Sequence, residues 1–158
     1  MKGGSNVPMV CCFVDFCKAY DKIRRDYLVR RLAQLGVHGH MLNAVVEMYW
    51  DVPLVPKLNG VLGPSIASTC GVKQGDPLSP LLFGLFIDEF EAWVKERLPG
   101  AGVPLTLEKN VPLLYADDMV LLGESQSSVQ ELLDLVHEFC VTRGLEVNVS
   151  KTEVAGVS

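Results

Sequence analysis

One stretch limits what this chain can fold into. Residues 111–122 (VPLLYADDMVLL) are apolar throughout except for Tyr115 and for Asp117 and Asp118, which stand side by side near the middle. Uncharged runs flanking a turn predict two short buried strands, here over 111–116 and 119–122, with the two aspartates at the hairpin tip. Adjacent carboxylates in a partly dry site repel each other, and both ionise readily only beside a cation. Asp is also a favoured turn residue. Taken alone, the pair therefore reads equally as a solvated turn and as part of a metal site.

The rest of the chain supplies the context. Residues 9–16 (MVCCFVDF) predict another buried strand whose only charge is Asp15, and a charge there must be paired or ligating. After Asp21, Leu28, Leu32 and Leu35 recur at i, i+4 and i+7 and predict a helix capped by Gly36, with Arg30 and Arg31 on a solvated face. A second helix over 40–50 turns Met41, Val45, Met48 and Tyr49 inward. Asn59-Gly60 predicts a hairpin, and a strand over 66–70 leads into the block 71–80 (GVKQGDPLSP). There Ser79 reads as an N-cap and Pro80 as the first helical residue. That helix runs to about Leu98 on a stripe of Leu82, Phe86, Phe90, Trp93 and Val94. Residues 103–107 read as a short strand. Ser128 with Glu131 predicts a capping box for a helix that runs to Arg143 and ends at Gly144. Residues 145–149 and 153–157 are short alternating strands. The sum is one α+β domain over 1–158, an antiparallel sheet with helices packed on one face.

Composition narrows the class. At 158 residues with 49% hydrophobic and 21% charged content, the chain is an ordinary globular domain. No apolar run approaches the roughly 20 residues of a membrane span, and the opening MKGGSN predicts no secretory signal. Five cysteines without a CxxC pair predict reduced thiols in an intracellular protein rather than a disulfide or zinc framework. The net charge of −5 advertises no nucleic-acid partner.

The order of four blocks changes that reading. FVDFCKAYD (13–21), GVKQGDPLSP (71–80), YADD (115–118) and GLEVNVSKT (144–152) together resemble motifs A, B, C and D of a reverse transcriptase palm, most closely those of non-LTR (LINE-type) retrotransposons. The resemblance covers nearly the whole chain. It implies a polymerase palm, a ferredoxin-like sheet with helices on one face, and two-metal transfer of deoxynucleotides to a primer 3′-hydroxyl. Asp15, Asp117 and Asp118, with the Phe16 backbone carbonyl, would hold two Mg²⁺ or Mn²⁺ ions. Tyr20 matches the gate that excludes a 2′-hydroxyl. Gln74 and Gly75 match the residues lying against the incoming nucleotide and template. Lys151 matches a cation near the triphosphate that can act as a general acid. Asp21 and Asp76 read as helix or turn organisers.

The fingers and thumb that accompany such palms are largely absent from this chain. The implied partners are an RNA template, a DNA primer and dNTPs, engaged within a longer protein. The acidic chain alone is expected to bind nucleic acid weakly, because phosphate neutralisation needs Lys and Arg. A remnant or interaction domain that keeps the palm fold without activity is the second reading. A nucleotidyl cyclase is a third, and it leaves the QGDPLSP block without a place. An active relative copying at a chromosomal target would work in the nucleus.

Overall fold

The computed structural model describes residues 9–50, 52–104, 109–110, 112–115 and 117–157. Along the chain these form β1 (Met9–Val14), α1 (Ala19–Lys22), α2 (Arg25–Gln34) and α3 (Gly39–Tyr49). An arm of four short strands follows: β2 (Pro53–Leu54), β3 (Lys57–Leu58), β4 (Val61–Leu62) and β5 (Ile66–Ala67). Next come α4 (Ser79–Ile87), α5 (Glu89–Arg97), β6 (Val103–Pro104) and β7 (Lys109–Asn110). The chain ends with β8 (Pro112–Tyr115), β9 (Asp118–Gly123), α6 (Gln126–Arg143) and β10 (Glu153–Val157).

One antiparallel sheet has the order β10-β1-β9-β8. Side chains alternate across a sheet, so register decides what each face carries. The pairs Cys12–Leu121 and Val14–Met119 send four buried apolar side chains into the main core. α6 packs on β9 and β1, α5 on α6, and α2 against α3 and α4. Phe83, Phe86, Phe90, Leu132 and Phe139 are buried in this core. Phe90 and Trp93 both meet the Phe139 ring edge-on, at 5.3 and 5.8 Å between centroids, an arrangement that ring quadrupoles favour. The other face carries the Phe13–Val120 pair and a small cluster of Cys11, Val103 and Leu122. Phe13 remains half exposed there. Period two carries this open face on to Asp15 and Asp118.

The expected α+β architecture is the one observed, and the differences from expectation are local. Leu35 ends α2 and is exposed, as is Met41 of α3. Arg31 is half-buried rather than solvated, because its guanidinium donates to the Leu85 carbonyl and to Asp88. The single helix expected up to Leu98 is two, α4 and α5, meeting at Asp88. Ser79 does not cap; its buried hydroxyl donates to the Lys73 carbonyl at 2.5 Å, while Asp76 accepts from the Leu78 N–H at 2.9 Å. The capping box of α6 uses Ser125 and Ser128, one turn earlier than expected, with each hydroxyl accepting from the other residue's N–H. Residues 145–149 contribute one bridge, Phe16–Val147, rather than a strand. Asn59 and Gly60 both adopt positive φ, as their expected hairpin turn requires. Parts of the expected strands at 103–107 and 111–116 fall on residues 105–107, 111 and 116, outside the described residues, as does the opening MKGGSN; the described part of the second, β8, is largely exposed rather than buried. The five cysteines are free. Among the described residues no helix is long and apolar enough to cross a membrane.

Candidate active site

Asp15 directly follows β1, and Asp118 opens β9. The last pair between these strands is Val14–Met119, and one further step of that register sets Asp15 opposite Asp118. On its other side Asp15 meets Asn148, next to the Phe16–Val147 bridge. The Asn148 N–H donates to the Asp15 carbonyl at 2.7 Å, and its side-chain Nδ2 donates to Asp15 Oδ2 at 2.9 Å. Asp118 is in turn paired with Tyr115. A cross-strand row, Asn148–Asp15–Asp118–Tyr115, thus edges the open face. The bonds flanking the bridge use the Asp15 carbonyl and the Cys17 N–H, so the Phe16 carbonyl takes no part in them.

Asp117 does not join this row. It sits exposed in the turn before β9 and lines a cleft of about 590 Å³ with Tyr20, Gln74, Gly75, Asp76 and Ser79. Three blocks far apart in sequence meet at this opening. The Tyr20 ring packs on Phe83 with centroids 5.2 Å apart. Burial, and then the charge of Asp117, push the Tyr20 phenol above its ordinary value, so it stays protonated at neutral pH. Gly75 has a φ of +83°, and a Cβ there would meet nothing within 4 Å. Its backbone therefore borders open space, where a ligand can approach closely.

The wall of this cleft is built by contacts that the sequence does not advertise. Gln74 Nε2 donates to both carboxylate oxygens of Asp21, at 3.0 and 3.1 Å. The Gly71 N–H donates to the Ile23 carbonyl at 2.8 Å and the Val72 N–H to the Tyr20 carbonyl at 2.7 Å. Gly71 has a φ of +78°, and a Cβ would lie 2.6 Å from the Asp21 carbonyl oxygen, so this close approach requires glycine. Arg25, buried at the start of α2, locks the same segment. Its guanidinium donates to the carbonyls of Gly71 (2.8 Å), Cys70 (2.9 Å) and Ser68 (2.5 Å), and to the Ser68 hydroxyl (2.7 Å). Burial pulls its pKa down, yet an arginine remains charged at neutral pH.

Lys151 is exposed and lies outside the cleft lining. Its N–H donates to the Asn148 carbonyl at 3.1 Å, which also accepts from the Thr152 N–H and hydroxyl. Lys22 at the end of α1 pairs with Glu146 and pins this segment to the motif A side.

Asp15, Asp117 and Asp118 offer only oxygen donors, the chemistry that hard divalent cations take. Their donor set fits such ions. Among the described residues, however, no three acidic, histidine or cysteine side chains are gathered closely enough to hold one. Asp15 and Asp118 share the row, and Asp117 faces the cleft. Asn148 and Arg25 are the residues that sequence reasoning passed over. The turn propensity of Asn is the one local signal that could have marked the first. Nothing local marks the second.

An antiparallel sheet with helices packed on one face and aspartates at the edge of the other is a polymerase palm. Telomerase structures share this fold: apo telomerase from Candida tropicalis superposes on 99% of this chain and 32% of its own with a TM-score of 0.75 at 17% identity, and telomerase from Candida albicans on 93% and 28% with a TM-score of 0.66 at 15% identity. The chain belongs to the reverse transcriptase (RNA-dependent DNA polymerase) family, whose model matches residues 6–157, and it is of the non-LTR type. Its relatives include the Pol polyprotein of the type-1 retrotransposable element R2 of Popillia japonica, 30% identical over 138 residues, and that of the type-2 element R2DM of Drosophila melanogaster, 29% identical over 149 residues. The matches cover 87% and 92% of this chain but only 23% and 14% of those relatives. Reverse transcriptases generally use divalent metal ions.

Proposed function

We propose that this domain carries the catalytic centre of an RNA-directed DNA polymerase, acting within a longer retrotransposon protein to add deoxynucleotides to a primer 3′-hydroxyl. The reading rests on one observation above others: Tyr20, Gln74, Gly75 and Asp117 line a single cleft although they come from three distant blocks. Asp15, Asp117 and Asp118, with the Phe16 carbonyl, would hold two Mg²⁺ or Mn²⁺ ions. When bound, such ions activate the attacking hydroxyl and stabilise the leaving oxygen of an in-line displacement.

The chain's own residues do the rest. Tyr20, braced by Phe83, blocks a 2′-hydroxyl and so selects deoxynucleotides. Gly75 lets the nucleotide approach the backbone, and Gln74 orients it. Lys151 offers a proton and a positive charge to the departing pyrophosphate. The RNA template and primer are gripped chiefly by parts of the longer protein, since this chain is acidic. Copying at a chromosomal target would place that protein in the nucleus.

Primer extension by this chain on an RNA template, with Mg²⁺ or Mn²⁺ and dNTPs, tests the reading. The labelled primer should lengthen, and Asp117→Ala should return the signal to background. No extension at any protein concentration, or extension that survives the substitution, would overturn it. The net charge of −5 favours a second reading, a folded palm that copies nothing and serves as an interaction domain; the first of those two negative results is the one it expects.

A further inference from the structure

Asn148 is tied to Asp15 at two points across 133 residues of chain, through its backbone N–H and through its side-chain amide. We propose that Asn148 is a positioning residue: its amide fixes one oxygen of the Asp15 carboxylate, leaving the other to meet a divalent cation, while its carbonyl closes the turn that carries Lys151. The inference rests on the polymerase reading above.

Three observations carry it. First, the amide has a defined sense. A carboxylate only accepts, so the NH₂ end faces Asp15, and the oxygen end accepts from the Ser150 hydroxyl at 2.8 Å. Second, the carboxylate is half used. Oδ2 accepts from Nδ2 at 2.9 Å, whereas no hydrogen bond reaches Oδ1 from the described residues. A hydrogen bond to the second oxygen of a ligating carboxylate is how neighbouring groups orient metal ligands. Third, the Asn148 carbonyl accepts from the Lys151 N–H at 3.1 Å, the Thr152 N–H at 3.0 Å and the Thr152 hydroxyl at 2.9 Å. One residue therefore couples the end of β1 to the Lys151 turn. Backbone bonds alone would hold the chain together here. Only the amide donor addresses the carboxylate.

The test uses the full chain and two readouts, melting temperature against Mn²⁺ concentration without nucleic acid, and steady-state primer extension. Asn148→Leu keeps the branched side-chain outline and every backbone bond but removes the amide. Its metal-free melting should stay near that of the wild type, while the Mn²⁺ midpoint rises about 10- to 100-fold. kcat should fall by a similar factor with the dNTP KM little changed. Thr152→Val, which loses one bond to the Asn148 carbonyl but leaves the amide alone, should not move the midpoint. Where leucine itself disturbs the fold, Asn148→Ala supplies the same comparison. An unshifted Mn²⁺ midpoint in a folded Asn148 variant overturns the inference and leaves the polymerase reading standing. A wild type with neither a metal response nor primer extension overturns the polymerase reading, and the inference with it.

Discussion

Gln74 donates its side-chain amide to both carboxylate oxygens of Asp21, at 3.0 and 3.1 Å, across 53 residues of chain. Asp21 precedes the arm and Gln74 follows it, so this bond closes the cleft wall from the two sides of a long excursion. On the proposed function, the side chain that orients the nucleotide is thus held by a carboxylate on the far side of that excursion.

Asp21→Ala should therefore cost more in activity than in stability. Both side chains are exposed, and an exposed hydrogen bond contributes about 1 kcal/mol or less to folding. Loosening an orienting group costs more in rate, and we expect kcat/KM for dNTP incorporation to fall about tenfold, ~1.4 kcal/mol of transition-state stabilisation. Asp21→Asn retains one acceptor and should fall between. Steady-state primer extension beside urea denaturation separates the two effects.

Arg25→Met should show the reverse emphasis. Its buried guanidinium serves three carbonyls and a hydroxyl, and its loss leaves the Gly71 and Ser68 carbonyls without their donor. A loss of about 2–4 kcal/mol follows, visible as a lower urea midpoint. Arg25→Lys should recover little, because a point-like ammonium cannot span the acceptors that a planar fork reaches.

The Lys22–Glu146 pair predicts a pH window. The hydrogen bond from Lys22, and then its charge, hold the Glu146 carboxyl below its ordinary value of 4.5, and the same bond raises Lys22 above 10.5. A depressed carboxyl contributes stability that is present above its unfolded value and lost as pH falls through the folded one. A raised lysine contributes stability that is present below its unfolded value and lost as pH rises through the folded one. The melting-temperature difference between wild type and Glu146→Gln should thus persist across neutral pH and vanish in acid. Both groups are accessible to solvent, so about 1 M salt should shrink it as well.

Thiol reactivity should report the packing of α6. Burial pushes the Cys140 thiol up to about 12, against the opposing charge of Arg143, whereas Cys70 is exposed beside the Asp21 carbonyl. Because the thiolate is the reactive form, an alkylating reagent at neutral pH should modify Cys70 first and spare Cys140 until the chain unfolds. Mass spectrometry of partial reactions checks the order. Equal rates at the two positions would contradict the helix packing described above.

Much of this was legible from periodicity. The α6 stripe of Val129, Leu132, Val136, Phe139 and Cys140 is buried as its spacing requires, and Gly144 ends the helix in the left-handed conformation expected of a glycine there. Where the local pattern misled, a partner outside the helix had intervened. Ser79 looked like a cap until the Lys73 carbonyl claimed its hydroxyl. Arg31 looked solvated until α4 brought the Leu85 carbonyl and Asp88 within reach.

By itself the sequence determined the α+β class, the central hairpin with its adjacent aspartates, and the short set of side chains on which the proposed chemistry draws. Those are local matters, set by alternation, turn propensity and the types of side chain present. Only the tertiary structure decided that β1 pairs with β9 so that Asp15 and Asp118 lie one step beyond the Val14–Met119 pair, that Asp117 lines the cleft, and that Asn148 holds the Asp15 carboxylate. Strand register between segments more than a hundred residues apart is set by which faces the core must bury, and no stretch of local sequence carries that information.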